Sequence, residues 1–420
     1  MKSIDLLALS LLAVVCIDAN SAAAAERTPN VVMIVSDDQA WSDYGFMDHP
    51  VIKTPNLDRL ASESRVYTRG YVPMSLCRPS LMTMMTGLYP HQHRISGNDP
   101  PAGTDRKEML KHVRRLPTIA KLLAERGYLC LQTGKWWEGN YREGGFTHGM
   151  THGDPARRGR HGDEGLEIGR QGLKPIYDFV EACGDKPFFI WYAPMLPHAP
   201  HNPPPALLEK YRSQTPSLHV ARYYAMCEWF DQTCGELLDY FDKKSLRENT
   251  LVVYVTDNGW IQDPDAPQYA PRSKRSPYDG GVRTPVLLSW PGKIKALRNE
   301  TQLVSSIDIA PTILAACGIP TPSELPGVNL LDEKAASSPR ETLFGEIFEH
   351  DVADIDNPRA SLLFRWCVTD EWKVILPTDQ AQPELYRSRS DPWEKQNIAA
   401  KHPEVMTELT GRINQWWKVE

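Results

Sequence analysis

The stretch Val31-Val32-Met33-Ile34-Val35, followed directly by Ser36-Asp37-Asp38, decides the fold class of this chain of 420 residues. An unbroken run of apolar, mainly β-branched residues is typical of a strand that is buried on both faces, as in a parallel sheet. The polar residues that follow predict a loop at the carboxyl end of the strand. Ligands of α/β proteins gather at that end of the sheet. The stretch therefore predicts a buried parallel strand that leads into a candidate functional loop.

Strand-like and helix-like segments alternate along the chain after this first strand. Strands are predicted at residues 128–132, 188–192, 251–255 and 286–290, and helices at residues 54–64, 116–126 and 220–241. This alternation predicts an α/β fold with a large, mixed, mostly parallel sheet that is covered by helices on both faces. Residues 144–172 are rich in Gly, His and Arg without periodicity, which predicts a long loop. Such a loop is either functional or a plain solvated insertion.

The pattern changes after about residue 320. Apolar segments at residues 362–368 and 372–376 predict a small antiparallel sheet, and residues 403–417 predict an amphipathic terminal helix. We therefore expect a main domain over residues 26–320 and a small C-terminal α+β subdomain over residues 321–420.

The N-terminus has the features of a secretory signal peptide. Lys2 precedes an apolar run from Leu6 to Ile17, and small residues follow as far as Ala25. A signal peptide over residues 1–25 predicts export to the periplasm or the extracellular space. The apolar run is too short for a transmembrane span, and no other segment of the sequence predicts one. A net charge of -6 without a basic motif argues against nucleic acid as a partner.

The chain has eight cysteines, and loss of Cys16 with the signal peptide would leave seven. An odd number means that at least one cysteine has no intramolecular disulfide partner. Cys227 and Cys234 are seven residues apart in a predicted helix, a spacing that suits either a disulfide or core packing.

Cys77 has a distinctive setting. It precedes Arg78-Pro79-Ser80 and an apolar run that ends at Gly87. Proline is favoured in the first turn of a helix and glycine just after its end, so the pattern predicts a helix that begins at the cysteine. Cys77 is then either a nucleophile at the anion-binding end of a helix or a buried structural thiol.

Two acidic pairs, Asp37-Asp38 and Asp257-Asn258, each follow a predicted strand. Parallel strands bring their carboxyl ends to one edge of the sheet, so we expect the pairs to lie close together. Together they offer only oxygen ligands, which suit Ca²⁺ or Mg²⁺ better than zinc. Taken singly, each pair is also compatible with a turn or a helix cap.

A series of short motifs covers nearly the whole chain from Pro29 onward. They are Pro29-Asn30-Val31 before Ser36-Asp37-Asp38, Thr54-Pro55-Asn56-Leu57-Asp58-Arg59-Leu60, Cys77-Arg78-Pro79-Ser80 with Thr86-Gly87 and Tyr89-Pro90-His91, Thr133-Gly134-Lys135-Trp136, Pro197-His198-Ala199-Pro200, Thr256-Asp257-Asn258-Gly259, and Lys274 leading to Asp279-Gly280-Gly281-Val282-Arg283-Thr284-Pro285. In this order they closely resemble the type I, formylglycine-dependent sulfatases of the alkaline-phosphatase-like superfamily. The resemblance implies the alkaline-phosphatase-like fold, with residues 26–320 as the sulfatase catalytic domain.

The resemblance also implies a chemistry. Cys77 matches the cysteine that a formylglycine-generating or other sulfatase-maturing enzyme oxidises to formylglycine (3-oxoalanine), whose hydrate attacks sulfur. The expected substrate is a sulfated small molecule or glycan, which makes the chain an exported sulfuric ester hydrolase of the arylsulfatase-like class.

Individual site residues follow from the same resemblance. Lys135 and Lys274 match lysines that contact the sulfate, and His198 matches a histidine beside the leaving-group oxygen, with His201 as a second candidate. The residues that match metal ligands are Asp37, Asp38, Asp257 and Asn258, and the expected ion is Ca²⁺ rather than Mg²⁺. Asp279 and Arg283 are expected to hold the Lys274 loop by an ion pair or a turn.

The sequence departs from the family pattern at two positions. Leu81 stands where the family has the arginine that helps maturation and orients the nucleophile, and Arg78 lies about 100° around the helix from Cys77. Trp137 stands where the family commonly has a histidine, and indole cannot take up a proton. The histidines considered as replacements are His91, His148, His152 and His161, and the substrate-contact candidates in the long loop are His148, His152, Arg157, Arg160 and His161.

These departures keep two alternatives open. One is a catalytically degenerate sulfatase-like protein that binds sulfated glycans. The other is a phosphate or phosphonate ester hydrolase of the same superfamily.

Overall fold

A mixed sheet of nine strands forms the centre of the part of the chain that this computed structural model describes, residues 27–332 and 340–419. The strands are β1 (Asn30–Ser36), β2 (Arg65–Tyr71), β3 (Leu129–Gly134), β4 (His148–Gly149), β5 (Phe188–Ala193), β6 (Thr250–Thr256), β7 (Arg283–Ser289), β8 (Leu297–Asn299) and β9 (Val304–Ser305). Their order is β4-β3-β5-β1-β6-β7-β2-β8, with β9 also paired to β2. The predicted signal peptide, residues 1–25, lies outside the described residues.

Strand direction in this sheet is mostly parallel. β1 is parallel to both β5 and β6, and β3 is parallel to β4 and β5. β7 is antiparallel to both of its neighbours, β6 and β2. The predicted fold class, a mixed and mostly parallel sheet, is therefore confirmed.

Helices cover both faces of the sheet, and the alternation along β1 explains why. Val31, Met33 and Val35 point into one apolar cluster, and Val32 and Ile34 point into another. The helices are α1 (Pro55–Ser62), α2 (Cys77–Thr86), α3 (Pro90–His93), α4 (Lys111–Arg115), α5 (Ile119–Ala124), α6 (Lys174–Cys183), α7 (Pro205–Arg212), α8 (Leu218–Lys243), α9 (Asp279–Val282) and α10 (Ile309–Ala316). α2, α5 and α10 pack on the first face, and α1, α6 and α8 on the second. No described helix is long and apolar enough to cross a membrane.

A second, antiparallel sheet follows in the C-terminal part. It consists of β10 (Leu343–Phe348), β11 (Leu362–Val368), β12 (Trp372–Pro377) and β13 (Glu384–Arg387), paired in chain order. The last helix, Pro403–Trp416, packs Leu409 and Ile413 on one face of this sheet. Trp366 joins the core of the large sheet on the other face, with its ring centroid 5.9 Å from that of Tyr71. The predicted antiparallel sheet and terminal helix are confirmed, whereas the domain boundary near residue 320 stays a prediction.

Several sequence predictions need correction. The segment predicted as a loop at residues 144–172 contributes β4, and Asp163 holds it together by accepting backbone hydrogen bonds from His152, Gly153 and Asp154. The helix predicted at residues 116–126 begins only at Ile119, because the Thr118 side chain caps it. All seven cysteines in the described residues are free, so Cys227 and Cys234 pack in the core and form no disulfide.

Candidate active site

Two neighbouring strands bring the acidic pairs together. Ser36 at the end of β1 is paired with Thr256 at the end of β6, so Asp37-Asp38 and Asp257-Asn258 leave the sheet side by side. The Asp257 backbone N–H donates to the Ser36 carbonyl at 2.9 Å, and the Asp37 N–H donates to the Leu196 carbonyl at 3.0 Å. The predicted meeting of the two pairs is therefore confirmed.

The four side chains of these pairs form a buried group of oxygens. The Asn258 amide donates to Asp38 Oδ1 at 2.7 Å, and the Asp38 backbone N–H donates to Asp257 Oδ1 at 3.0 Å. Three further oxygens, Asp37 Oδ2, Asp257 Oδ2 and Asn258 Oδ1, are buried without a hydrogen-bond partner among the described residues. Leaving such atoms unsatisfied costs about 1–3 kcal/mol each. A hard divalent cation would satisfy them, so this donor set fits Ca²⁺.

The same oxygens have strongly perturbed acidity. Burial raises the pKa of Asp257 well above its usual value, and the nearby Asp37 carboxylate raises it further. Burial also opposes ionisation of Asp38, but the charges of Lys274, His198 and Lys135 outweigh it and hold the pKa of Asp38 below its usual value. Such a concentration of shifted groups is typical of a functional site.

Two buried lysines flank the oxygens. Lys135 Nζ donates to Asp37 Oδ1 at 2.7 Å, and Lys274 Nζ donates to Asp38 Oδ2 at 2.7 Å. Burial acts to lower the pKa of each lysine, but the neighbouring carboxylates outweigh it and raise the pKa of both. Both side chains are therefore positively charged at neutral pH, inside a region that excludes water.

Gly134 fixes where Lys135 stands. It has φ +74°, and a Cβ at this position would lie 1.9 Å from the Ala193 carbonyl oxygen. Only glycine allows this close approach and backbone conformation together. The Lys135 backbone N–H then donates to the same Ala193 carbonyl at 2.7 Å, so the lysine is anchored to the end of β5.

Cys77 is the first residue of α2, as the sequence predicts. The helix ends with Gly87 in the left-handed region, at φ 70°. The Cys77 sulfur lies within 4.8 Å of one ligand atom from each of Asp37, Asp38 and His198. Burial raises the pKa of the Cys77 thiol to about 11, although Lys135 and Lys274 act in the opposite direction.

His198 closes the group from the Pro197–Pro200 loop. Its Nδ1 donates to the Ala199 carbonyl at 2.5 Å, and its Nε2 faces Asp38 Oδ2 at 3.3 Å. Burial lowers the pKa of His198, and Asp37 opposes this. The ring of His201, the second candidate, packs against Tyr223 and Trp260.

The two departures from the family pattern are both buried. Leu81 packs in the apolar core, 3% exposed. Arg78 turns to Glu138 and makes a two-pronged ion pair with it, at 2.6 and 2.7 Å, with both side chains 1% exposed. Trp137 is 4% exposed, and its Nε1 has no hydrogen-bond partner among the described residues.

The long-loop candidates separate into two groups. His161 packs edge-on against Trp137, with ring centroids 4.7 Å apart, and the Arg160 guanidinium lies 5.3 Å from the Trp137 ring centroid. The other long-loop candidates are engaged elsewhere: His148 packs on Phe179, His152 packs on Tyr141, and Arg157 pairs with Glu164. His91, the replacement candidate in α3, pairs with Glu346. Only Arg160 and His161 therefore approach the lysine side of the site.

The C-terminal sheet supports the Lys274 loop. Arg283 lies 3.6 Å from Asp279, as the sequence predicts, but the nearer partner of Asp279 is Lys373 of β12, at 2.7 Å. Lys373 is 1% exposed and also binds Glu394 at 2.7 Å. Sequence reasoning missed this network, although a lysine inside the apolar strand Trp372–Pro377 was a signal for a buried charge.

Family models match most of the chain. A sulfatase model covers residues 29–319, and a model of the N-sulphoglucosamine sulphohydrolase C-terminal region covers residues 269–418. This chain belongs to the sulfatase family. It is therefore classed with sulfuric ester hydrolases.

Individual relatives agree with this placement. The chain is 28% identical over 361 residues to N-acetylgalactosamine-6-sulfatase of Canis lupus familiaris, covering 74% of this chain but only 66% of that relative. It is 24% identical over 500 residues to an N-acetylgalactosamine-6-O-sulfatase of Bacteroides thetaiotaomicron, covering 91% of this chain and 92% of that one. The solved structure of Ps i-CgsB with k-i-k-neocarrahexaose has the same fold, with a TM-score of 0.76, 22% identity and 94% coverage of both chains.

Proposed function

We propose that this sulfatase hydrolyses sulfate esters of carbohydrates, with a Ca²⁺ ion held by Asp37, Asp38, Asp257 and Asn258 and with Cys77 converted to formylglycine. One observation carries the proposal: buried oxygens without a hydrogen-bond partner among the described residues belong to the acidic group that lies within 4.8 Å of Cys77, at the start of a helix. Lys135 and Lys274 flank them. A divalent cation and two ammonium groups would together surround a sulfate group.

The side chains have distinct tasks in this proposal. Formylglycine at residue 77 would supply the oxygen nucleophile, and a Ca²⁺ ion held by the four oxygen ligands would supply positive charge. Lys135 and Lys274 bind sulfate oxygens and stabilise the negative charge that grows on them in the transition state. His198 presents Nε2 to the site, because its Nδ1–H donates to the Ala199 carbonyl, and in its imidazolium form it gives the Nε2 proton to the departing alcohol oxygen and becomes neutral.

Trp137 changes one part of this scheme. It occupies the position of a family histidine, and it can donate one hydrogen bond but cannot exchange a proton. His161 is the one long-loop histidine that contacts Trp137, and burial lowers its pKa to about 4. Proton transfer is assigned to His198 because its Nε2 lies 3.3 Å from Asp38 Oδ2 and it belongs to the same group of side chains as Cys77.

Carbohydrate as the substrate class draws on the relatives. Two of them are named as N-acetylgalactosamine-6-sulfatases, and the structure of Ps i-CgsB is of a complex with k-i-k-neocarrahexaose. Export through a signal peptide over residues 1–25, and division into domains at 26–320 and 321–420, belong to the same proposal.

The deciding experiment combines mass spectrometry with sulfate release. The peptide containing Cys77 is analysed after purification from the native host, and the protein is then assayed on aryl sulfate, aryl phosphate, aryl phosphonate and sulfated sugar. We expect aldehyde at residue 77, sulfate release, and loss of activity in Cys77→Ala. The matched control is Cys130→Ala, which removes another buried free thiol outside the site.

Each rival gives a different result. Unmodified Cys77 with release of phosphate or phosphonate would favour the related hydrolase. Binding of sulfated glycan without sulfate release, in Ca²⁺-loaded protein with aldehyde at residue 77, would favour the degenerate binding protein.

A further inference from the structure

Three positive groups surround the ring of Trp137. The Lys135 ammonium lies 5.8 Å from its centroid, the Arg106 guanidinium 5.0 Å and the Arg160 guanidinium 5.3 Å. Cation–π contacts of this kind occur within about 6 Å of a ring centroid. The ring itself is buried, so it does not offer a face to a sugar. The ring instead lies between two arginines and Lys135, the lysine that we propose binds the scissile sulfate.

Asp99 holds the two arginines beside each other. Arg106 and Arg160 both form ion pairs with its carboxylate. One carboxylate neutralises only one of the two guanidinium groups. The neighbouring acidic side chain, Asp351, binds His350 at 2.5 Å. The pair of arginines therefore keeps a positive charge.

Unused donors point to a missing ligand. Arg106 Nη2 and Trp137 Nε1 are both buried, and neither has a hydrogen-bond partner among the described residues. Burial lowers the pKa of Arg106 to about 10, so the guanidinium remains charged at neutral pH. Arg160 is 43% exposed at its side chain, so the same group of residues is also open to solvent.

We propose that Arg106 and Arg160 form a second anion subsite, so that the preferred substrate carries a second sulfate or a carboxylate besides the scissile sulfate. This proposal rests on the proposed function, because Lys135 marks where the scissile group binds. All three cations are close to one indole ring, so the two anions would lie on the same sugar or on adjacent sugars. Asp99 positions the arginines, and the second anion accepts hydrogen bonds from the guanidinium N–H groups that Asp99 does not bind.

The test compares substrates that differ only in the second anion. Wild type, Arg160→Gln and Arg106→Gln are assayed on an aryl sulfate, a monosulfated amino sugar, its disulfated form, and a disaccharide that also carries a uronate carboxylate. Loss of a charge-assisted hydrogen bond lowers binding about ten- to hundredfold. We expect kcat/KM to fall by that factor on substrates with the second anion and to change less than threefold on the others.

Further variants separate recognition from misfolding. Arg142→Gln is the matched control, because Arg142 also stacks on an aromatic ring, but on that of Tyr141 instead of Trp137. Asp99→Asn keeps an acceptor oxygen that can hold the arginines but removes the competing negative charge, and we expect it to raise kcat/KM selectively on the doubly anionic substrates. The disulfated and the uronate-containing substrates show which anion the subsite prefers.

Two outcomes would overturn the subsite. One is an equal loss on all substrates in Arg160→Gln, and the other is no loss on any. If the wild-type protein released no sulfate at all, the proposed function would fail separately. The subsite would then be tested by calorimetric titration of the disulfated sugar into wild type and Arg160→Gln, and equal affinities would refute it.

Discussion

Breaking the Arg78–Glu138 ion pair is expected to destabilise the protein strongly. The pair joins the residue after Cys77 to a residue three positions after Lys135, so it connects the start of α2 to the lysine loop. Both side chains are 1% exposed, and the guanidinium meets the carboxylate through two hydrogen bonds, at 2.6 and 2.7 Å. Glu138→Gln would leave a buried guanidinium without a counter-charge.

The size of the effect follows from this burial. Removing one partner of a buried pair costs about 3–5 kcal/mol, whereas replacing both partners with apolar residues is often close to neutral. We therefore expect Glu138→Gln and Arg78→Met each to lower the free energy of unfolding by about 3 kcal/mol or more, and Arg78→Met combined with Glu138→Leu to recover much of that loss. Because the pair positions the Cys77 and Lys135 segments, kcat should fall in the single variants.

Urea unfolding, followed by tryptophan fluorescence, measures these changes. The matched control is Arg114→Met, which breaks an ion pair of similar geometry with Glu143 at the surface. Exposed pairs contribute about 0.2–1 kcal/mol, so the control should remain close to wild type. Single-variant losses below about 1 kcal/mol, or losses that simply add in the double variant, would refute the reasoning.

Three further predictions concern the metal site, a buried acid and a glycine. Addition of Ca²⁺ at a hundred times its Kd should stabilise the fold by about 2.7 kcal/mol, seen as a higher melting temperature in calorimetry, and Asp257→Asn should abolish the response. Burial raises the pKa of Asp43 to about 7, so the folded state favours the protonated form of this side chain. The stability that the protonated Asp43 contributes is fully present below about pH 4 and is lost as the pH rises through 7. The Asp43→Asn side chain cannot ionise, but it keeps an acceptor for the Tyr223 hydroxyl. In urea unfolding at pH 8, the free energy of unfolding of Asp43→Asn should exceed that of wild type by at most about 4 kcal/mol, and at pH 4 it should not exceed it. Gly134→Ala should lower the free energy of unfolding by more than about 1 kcal/mol and abolish most of the sulfatase activity, because the new Cβ would collide with the Ala193 carbonyl. Wild-type activity in this variant would contradict the backbone constraint assigned to Gly134.

Local patterns explain which parts of the structure the sequence predicts well. β1 and the start of α2 are visible because an apolar run and the proline and glycine positions are properties of neighbouring residues. The acidic pairs could be brought together because parallel strands share an edge. The direction of β7 was not predictable, since an apolar strand pattern is the same in either direction.

Contacts between distant residues explain what was missed. β2 contains Arg65 and Arg69, and charged residues argue against a buried strand. Arg69 is nevertheless buried, because Asp370 of the C-terminal part binds it at 2.7 Å. The Arg78–Glu138 pair is another example, because its partners are 60 residues apart and their match depends on the folded chain.

The buried Lys373 has a consequence for how this protein can be divided. Its ammonium, carried by the small sheet, is the countercharge of Asp279, which lies five residues beyond Lys274. A fragment that ended near residue 320 would retain every residue of the candidate active site but would leave Asp279 buried without that partner. The second family model likewise begins at residue 269, before the Lys274 loop. A fragment of this protein that is transferred or expressed on its own should therefore contain both sheets.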